Sequence, residues 1–412
     1  MYYYITHLHC CTALQIVEEM HLLGGMLQCI ASKENIIYIL DVMRHRAEEA
    51  FDVLADTTLN PTFPEEELEE SRAVVELQRT ELPSEVFSRD LVQRAAYLNS
   101  PLGNHHYCPT ELAAAMNKEK LDAFRADNFF PGNCIVAVAG LDHESAVALA
   151  QKKFGHFVDA RAAANQSAPR IRQRDGLDMV GKSPYTGGML TEERELKEPY
   201  VRLAMAYEVG GWSDPMLVPT CVLQMMLGGG SSFSAGGPGK GMFSRLYTQV
   251  LNKQYWAESV ESFLSIHEHA GLLGIDGSCP PDNLPHLVQV IVQQFTNLAQ
   301  TPASEEELTR AKNMLKSSMM MQLESRLVQC EDIARQFITY GHRDSQAKMC
   351  EKIDAVTAED IMAVANRMMQ QAPSVGSVGS DLSKLPTYHQ IANYSKTYYE
   401  QTLKEKSRKL EY

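Results

Sequence analysis

No stretch of this sequence approaches the roughly eighteen consecutive apolar residues that a membrane-spanning helix requires, so none of its hydrophobic segments reads as a span. Its nine cysteines include no Cys-x-x-Cys pair, which excludes a zinc-knuckle spacing and offers no disulfide framework; they read as buried thiols in a reducing compartment. Positive charge is scarce, with 38 Lys and Arg against 52 Asp and Glu and a net charge of -14. Nucleic acid is therefore a poor partner, because neutralising phosphates takes clustered cations, and a cationic partner is favoured instead. Met1 is followed by Tyr2, Tyr3 and Tyr4 rather than by an Arg-rich amphipathic segment, so this start is not expected to act as a transit or secretory peptide.

What is present is ordinary globular composition, 44% hydrophobic and 22% charged, spread over 412 residues, a length that favours two cores. An internal repeat supports that count. Pro61-Thr-Phe-Pro-Glu-Glu-Glu-Leu68 leads into a helical run, and Thr301-Pro-Ala-Ser-Glu-Glu-Glu-Leu308 leads into another, 240 residues later. Pro64 suits a first helical turn, Ser304 can cap, and Glu307 can reach back as a capping box. The shared Glu triplets read as solvated first turns that complement the helix dipole. Downstream, Asn117 and Thr357 are N-cap candidates at the same offset. Cys134 to Gly140 and Ser374 to Gly379 then read as strands that close each copy.

The expected fold is α+β, with two homologous α/β-layer domains. The first spans 1–155, a linker rich in Ala, Arg, Ser, Gly and Pro spans 156–195, the second domain spans 196–385, and a C-terminal tail spans 386–412. In the second copy, strands are expected near Val201–Glu208, Trp256–Phe263 and Leu272–Gly277. Helices are expected near Asp214–Leu227, Met242–Asn252, Asn283–Ala299, Glu305–Met321, Glu324–Tyr340 and Ala358–Gln370. Subtracting 240 from its opening strand, first helix and glycine-rich segment places their counterparts before residue 1 or within the first few residues. The first copy is expected to be short at its N-terminus.

One segment calls for a functional explanation. Gly228, Gly229, Gly230, Ser231, Ser232, Phe233, Ser234, Ala235, Gly236, Gly237, Pro238, Gly239, Lys240 and Gly241 contain seven glycines, a density that lets backbone approach a ligand. A phosphate-binding P-loop fails, since no Gly stands five residues before Gly239 and Gly241 follows Lys240 where Ser or Thr is needed. A dinucleotide fingerprint fails because the segment follows a helix and lacks Gly-x-Gly-x-x-Gly. Phe233 and Phe243 are apolar points within it, and Ser244-Arg245-Leu246-Tyr247 opens a helix directly after it.

From Gly228 to Tyr247 the sequence resembles the signature loop of processing-peptidase alpha subunits in the pitrilysin-like M16 metallopeptidase family. Leu23-Gly-Gly-Met-Leu-Gln-Cys29, His106-Tyr-Cys-Pro-Thr110, Met321-Gln-Leu-Glu-Ser-Arg-Leu327 and Glu331-Asp-Ile-Ala-Arg-Gln336 extend the likeness over about residues 20 to 392. The resemblance implies a non-catalytic, substrate-recognising subunit whose residues 228–241 contact cationic presequence peptides in the mitochondrial matrix. It also implies a beta subunit that holds zinc, and no cofactor in this chain. The alternative it leaves open is a core scaffold subunit of the respiratory cytochrome bc1 complex. The family's chain begins with a strand, a helix and a degenerate zinc motif, which Met1 to Met20 do not resemble.

Catalysis in that family needs His-x-x-Glu-His on one helix, where two imidazoles share a metal and the Glu activates water. The nearest echo is His45-Arg-Ala-Glu48-Glu49, with Glu49 in the second His position. The family's distal carboxylate falls locally on Gln78, a neutral amide, and Glu76 lies about 200° away around the helix. His7-Leu-His9-Cys10-Cys11, His105-His106 and His267 with His269 are read as terminal, exposed or structural rather than ligating.

Overall fold

The computed structural model describes residues 13–157, 173–174, 177–178, 183–195, 199–231 and 242–410. In chain order the elements are α1 (Ala13–Leu22), β1 (Met26–Ala31), β2 (Ile36–Asp41), α2 (Ala47–Leu59), α3 (Glu65–Thr80), α4 (Ser84–Ala96), α5 (Thr110–Ala114), α6 (Lys118–Asn128) and α7 (His143–Phe154). There follow β3 (Gln173–Arg174), β4 (Leu177–Asp178), β5 (Gly188–Glu193), β6 (Val201–Val209), α8 (Leu217–Leu227), β7 (Gly229–Ser231), β8 (Ser259–Ile266) and β9 (Gly271–Cys279). The chain ends through α9 (Leu284–Gln300), α10 (Glu305–Gln322), α11 (Arg326–Tyr340), α12 (Gln346–Asp354), α13 (Ala358–Met369), β10 (Ser374–Gly379) and α14 (Tyr388–Leu410). Two compact units result. One comprises Met1–Glu81, His105–Gly181 and Gln322–Arg343, the other Leu82–Asn104, Lys182–Met321 and Asp344–Tyr412.

In the first unit β1 and β2 form an antiparallel hairpin, and Ile16 and Met20 of α1 pack with Ala50 and Val53 of α2 over Leu27 and Leu40. α7 is pinned to α2 by Phe51 against Phe154, by Lys153 to Asp52, and by Lys152 to Glu48. The Asn117 side chain caps α6 as expected, accepting from the Lys120 amide at 3.1 Å. The strand expected at Cys134–Gly140 does not form: residues 134–139 join no ladder among the described residues, and Ile135 and Val136 stay exposed. A strand exists only through its neighbours. β10, its counterpart at offset 240, has β5 on one side and β6 on the other, whereas no described strand pairs with 134–139.

The second unit holds a six-stranded sheet in the order β5-β10-β6-β9-β8-β7, antiparallel except for the β10–β5 pair. β6 is apolar on both sides because both faces are covered. Its Val201, Leu203, Met205 and Tyr207 enter a core with α8, α9 and α13, while Ala204 and Ala206 face Val92 and Ala96 of α4. α13 starts at the expected Thr357 with a capping box completed by Asp360. α14 lies within the 386–412 stretch read as a tail and is docked through buried Ile391 and Tyr399, with Ser395 2.7 Å from the Tyr207 hydroxyl. β5 lies within the 156–195 interval read as a linker.

Each unit takes one helix from the opposite half of the sequence. α4 covers the six-stranded sheet of the second unit, and α11, its repeat counterpart, belongs to the first, where the Cys330 thiol donates to the Ala137 carbonyl at 3.1 Å. Beneath α4 the sheet carries a polar cluster. The Ser88 hydroxyl donates to Asp276 at 2.5 Å, Arg202 pairs with the same carboxylate, and Arg89 pairs with Glu261 while lying 5.2 Å over the Phe263 ring.

Candidate functional site

The glycine-rich segment leaves the end of α8 through two residues that only glycine fits. Gly228 has φ 54° and ψ -128°, a conformation L side chains rarely adopt, and a Cβ there would stand 2.4 Å from that of Ser244. At Gly229, φ is +113° and a Cβ would meet the Val260 carbonyl oxygen at 2.2 Å. The backbone thereby turns onto the sheet edge, where Gly229, Gly230 and Ser231 pair with Glu261, Val260 and Ser259. Ser262 locks the turn, its amide donating to the Gly228 carbonyl at 2.8 Å and its hydroxyl to that of Gln224 at 3.1 Å. The last three residues of the turn are therefore a short edge strand. Ser232, Phe233, Ser234, Ala235, Gly236, Gly237, Pro238, Gly239, Lys240 and Gly241 lie outside the described residues.

The chain is described again from Met242. Phe243 is 71% exposed, and the Arg310 guanidinium stands 5.6 Å from its ring centroid. Ser244 and Arg245 are buried. The Ser244 hydroxyl accepts from the Gly229 amide at 3.2 Å, joining the two feet of the segment directly. Arg245 makes a forked pair with Glu307, Nε to Oε1 at 2.6 Å and Nη2 to Oε2 at 2.9 Å. The expected helix Met242–Asn252 is reduced to a π-helical turn, Leu246–Leu251, consistent with a chain bent to suit these contacts.

Glu307 corrects an expectation. Its amide donates to the capping Ser304 hydroxyl at 3.2 Å, but its carboxylate goes to Arg245 and is not a solvated first-turn charge. Glu305, Glu306, Thr309, Arg310 and Asn313, which share one face of α10, line a surface cavity of about 540 Å³. Sequence reasoning singled out the glycines and missed Ser244, Arg245 and Glu307. A signal was there: a guanidinium at the opening of a helix is opposed by the dipole, so Arg245 needed a carboxylate from elsewhere.

The residues nearest to a zinc motif do not fit the metal. His45 stands exposed in a 3-10 turn, Arg44–Arg46, ahead of α2, so it and Glu49 are not a turn apart on one helix. Glu48 is paired with Lys152 and Glu49 with Arg46 at 2.9 Å. Among the described residues no group of three or more His, Cys, Asp or Glu is placed to hold a metal ion. His267 is buried in the turn after β8, its Nε2 3.0 Å from Gln93 Nε2, and His269 is on the surface. His7, His9, Cys10 and Cys11 lie outside the described residues. No helix among the described residues is long and apolar enough to cross a membrane.

Residues 10–110 match the family described as Insulinase (Peptidase family M16), and residues 115–315 match the Peptidase M16 inactive domain. The mitochondrial-processing peptidase subunit alpha of Homo sapiens is 33% identical over 383 residues, covering 89% of this chain and 70% of that protein. That of Solanum tuberosum is 33% identical over 385 residues, covering 92% and 73%. In structure the chain is similar to one in Complex III2 from Candida albicans with Inz-5 bound, with TM-score 0.73 at 16% identity, covering 92% of this chain and 89% of that one.

Proposed function

Since the chain belongs to the M16 peptidase family, among the relatives of mitochondrial-processing peptidase alpha subunits, we propose that it is a non-catalytic subunit that binds cationic presequence peptides and presents them to a zinc-bearing beta subunit in the mitochondrial matrix. The observation that carries this reading is the built neck of the glycine-rich segment. Two glycine-only conformations, a hydroxyl bridging the feet and a buried forked ion pair hold its ends in one place. A merely connecting loop gains nothing from such an anchorage, whereas a peptide-contacting segment needs a fixed base. The net charge of -14 suits a cationic ligand by long-range attraction. Chemistry is left to the partner, because His45, Glu48 and Glu49 are placed and paired in a way that does not make a zinc site.

The test is reconstitution with a beta subunit, followed by deletion of Ser232–Gly241. Presequence cleavage is expected only with the partner, and the deletion is expected to weaken peptide binding. Cleavage by this chain alone, or unchanged affinity after deletion, would refute the proposal. The second reading, a core scaffold subunit of the cytochrome bc1 complex, draws on the likeness to a Complex III2 chain, which at 16% identity speaks for the fold. Co-purification with cytochrome subunits would favour it.

A further inference from the structure

We infer that the outer edge of β2 and residues 134–139 are the two walls of a strand-docking site in the first unit, and that residues 2–8 of this chain are the strand it takes. The second unit supplies the measure. Its β8–β9 hairpin matches β1–β2: each turn has four residues, closed by Ile266 with Gly271 and by Ala31 with Ile36, and each carries an amide-to-carbonyl bond of 2.8 Å, from His267 to Ala270 and from Ser32 to Asn35. Beyond β9 come β6 and then β10, with α4 packed on β10. In the first unit the last of these positions is also marked. Residues 134–139 stand at the repeat offset from β10, and α11, the counterpart of α4, touches them through the Cys330 thiol on the Ala137 carbonyl. Cys134 is already extended, with φ -120° and ψ 139°. Among the described residues β1 is the one strand that pairs with β2, and no strand pairs with 134–139. A counterpart of β6 belongs between them.

The walls set the chemistry of that strand. Ile36-Ile-Tyr-Ile-Leu40 and Cys134-Ile-Val-Ala-Val-Ala139 carry no charge, so the site suits an uncharged segment with apolar residues on both faces, as β6 has from Leu203 to Tyr207. Left uncovered, an apolar edge of this kind is a template for pairing with other chains. Residues 1–12 precede α1 and lie outside the described residues. Their sequence meets the requirement: Tyr2-Tyr-Tyr-Ile-Thr-His-Leu8 contains no Gly, Pro, Asp, Glu, Lys or Arg and is rich in the aromatic and β-branched residues that favour strands. The direction fits as well. A strand antiparallel to β2 runs parallel to β1 and leads into the helix that precedes β1, as β6 leads into α8 ahead of β8. Residues 9–12 leave four for that connection, within the range of about two to six usual between a strand and a helix.

The experiment compares hydrogen exchange in the full chain with that in a chain lacking residues 2–8. In the full chain the amides of β2 that point away from β1, and those of residues 135–139, are expected to be protected. The truncation is expected to speed their exchange by about tenfold or more while β6 and β9 stay protected. A synthetic peptide of residues 2–8 added to the truncated chain is expected to restore the protection. Fast exchange at both walls in the full chain overturns the inference without any variant. Protection that survives the truncation also overturns it, by assigning the site to another segment. Protection that rises with protein concentration, together with a dimer in sedimentation, overturns it in favour of a second copy. Should the truncated chain lose protection at β6 and β9 as well, Ile5→Pro in the full chain decides, because proline removes a ladder donor and is not tolerated in a central strand. Faster exchange confined to the two walls then supports the inference, and unchanged exchange overturns it. None of these readings involves a presequence or a beta subunit, so the proposed function stands or falls separately.

Discussion

Gly376 of β10 lies so close beneath α4 that a Cβ on it would stand 2.5 Å from the Ser88 carbonyl oxygen and 2.7 Å from the Val92 amide nitrogen. Those atoms are helix backbone and cannot move aside alone. Gly376→Ala is therefore expected to push α4 off the sheet and to cost about 1–3 kcal/mol as an overpacking substitution. Urea unfolding reads this as a lower midpoint, and an unchanged midpoint would mean that α4 does not rest on this glycine.

The same helix is held by a buried polar cluster whose members are unequal. Asp276 is fully buried, and burial pushes its carboxyl above the usual range while Arg202, Ser88 and Arg89 oppose that rise. Asp276→Ala removes the buried partner of Arg202, leaving it the half-exposed Glu85 at 3.5 Å, and is expected to cost about 3 kcal/mol. Ser88→Ala leaves the ion pair in place and removes one hydrogen bond to a charged group, a cost of about 1.5–3 kcal/mol. Combined, the two should cost less than their sum, because both act on one carboxylate. Additive losses in a double-mutant cycle would show that Ser88 and Asp276 do not interact.

How far the fold was legible follows from where each contact lies along the chain. Asn117 and Thr357 announced α6 and α13 because a cap involves residues three apart. β6 was legible as an apolar run, and its bounds came out within a residue of the expected Val201–Glu208. By contrast α4 and α11 look alike at the level of periodicity, and nothing local says that each serves the opposite half of the sequence. Residues 134–139 have the composition of a strand, but a strand also needs neighbours, which composition does not supply. At the candidate site the glycines were visible because their density is a local property. The Arg245–Glu307 pair spans 62 residues and was not.

Gly228 offers a sharper test of the site's base. Any side chain at φ 54°, ψ -128° is strained, by about 1–3 kcal/mol, and alanine would also strike the Cβ of Ser244. Gly228→Ala is expected to lower stability and to separate the two feet, which hydrogen exchange at the Gly229 amide reports as lost protection. Retained protection of that amide would count against the described neck.

Thiol reactivity follows burial. Burial pushes Cys279 up to about 12 and Cys221 and Cys29 up to about 11, so their thiolate fractions at neutral pH are very small. Cys134 is exposed, although its thiol is also raised. With a small alkylating reagent, Cys134 is expected to react in the native protein and Cys279 and Cys29 only on unfolding, as peptide mass mapping would show. Modification of Cys279 at the rate of Cys134 would contradict its placement.

Asp344 gives a pH dependence whose direction can be worked out. It accepts from Lys348 Nζ at 2.6 Å and from Lys352 Nζ at 2.6 Å, and these hydrogen bonds hold its carboxyl well below the usual carboxylate range. In the unfolded chain the group titrates near its ordinary value of about 3.9. Because the folded value is the lower one, the contact stabilises the protein above that ordinary value. The stabilisation fades as pH falls below about 5, since the unfolded chain then gains a proton that the folded chain refuses. Asp344→Asn should accordingly have a lower urea midpoint than the parent at pH 7, and the gap should narrow as pH is taken from about 5 toward 3. Salt should shrink the gap at pH 7, since both lysines are about half exposed and screened. A gap that stayed constant from pH 7 to 3 would show that Asp344 acts through its neutral hydrogen bonds or its packing, because only an ionised carboxylate loses its advantage on protonation.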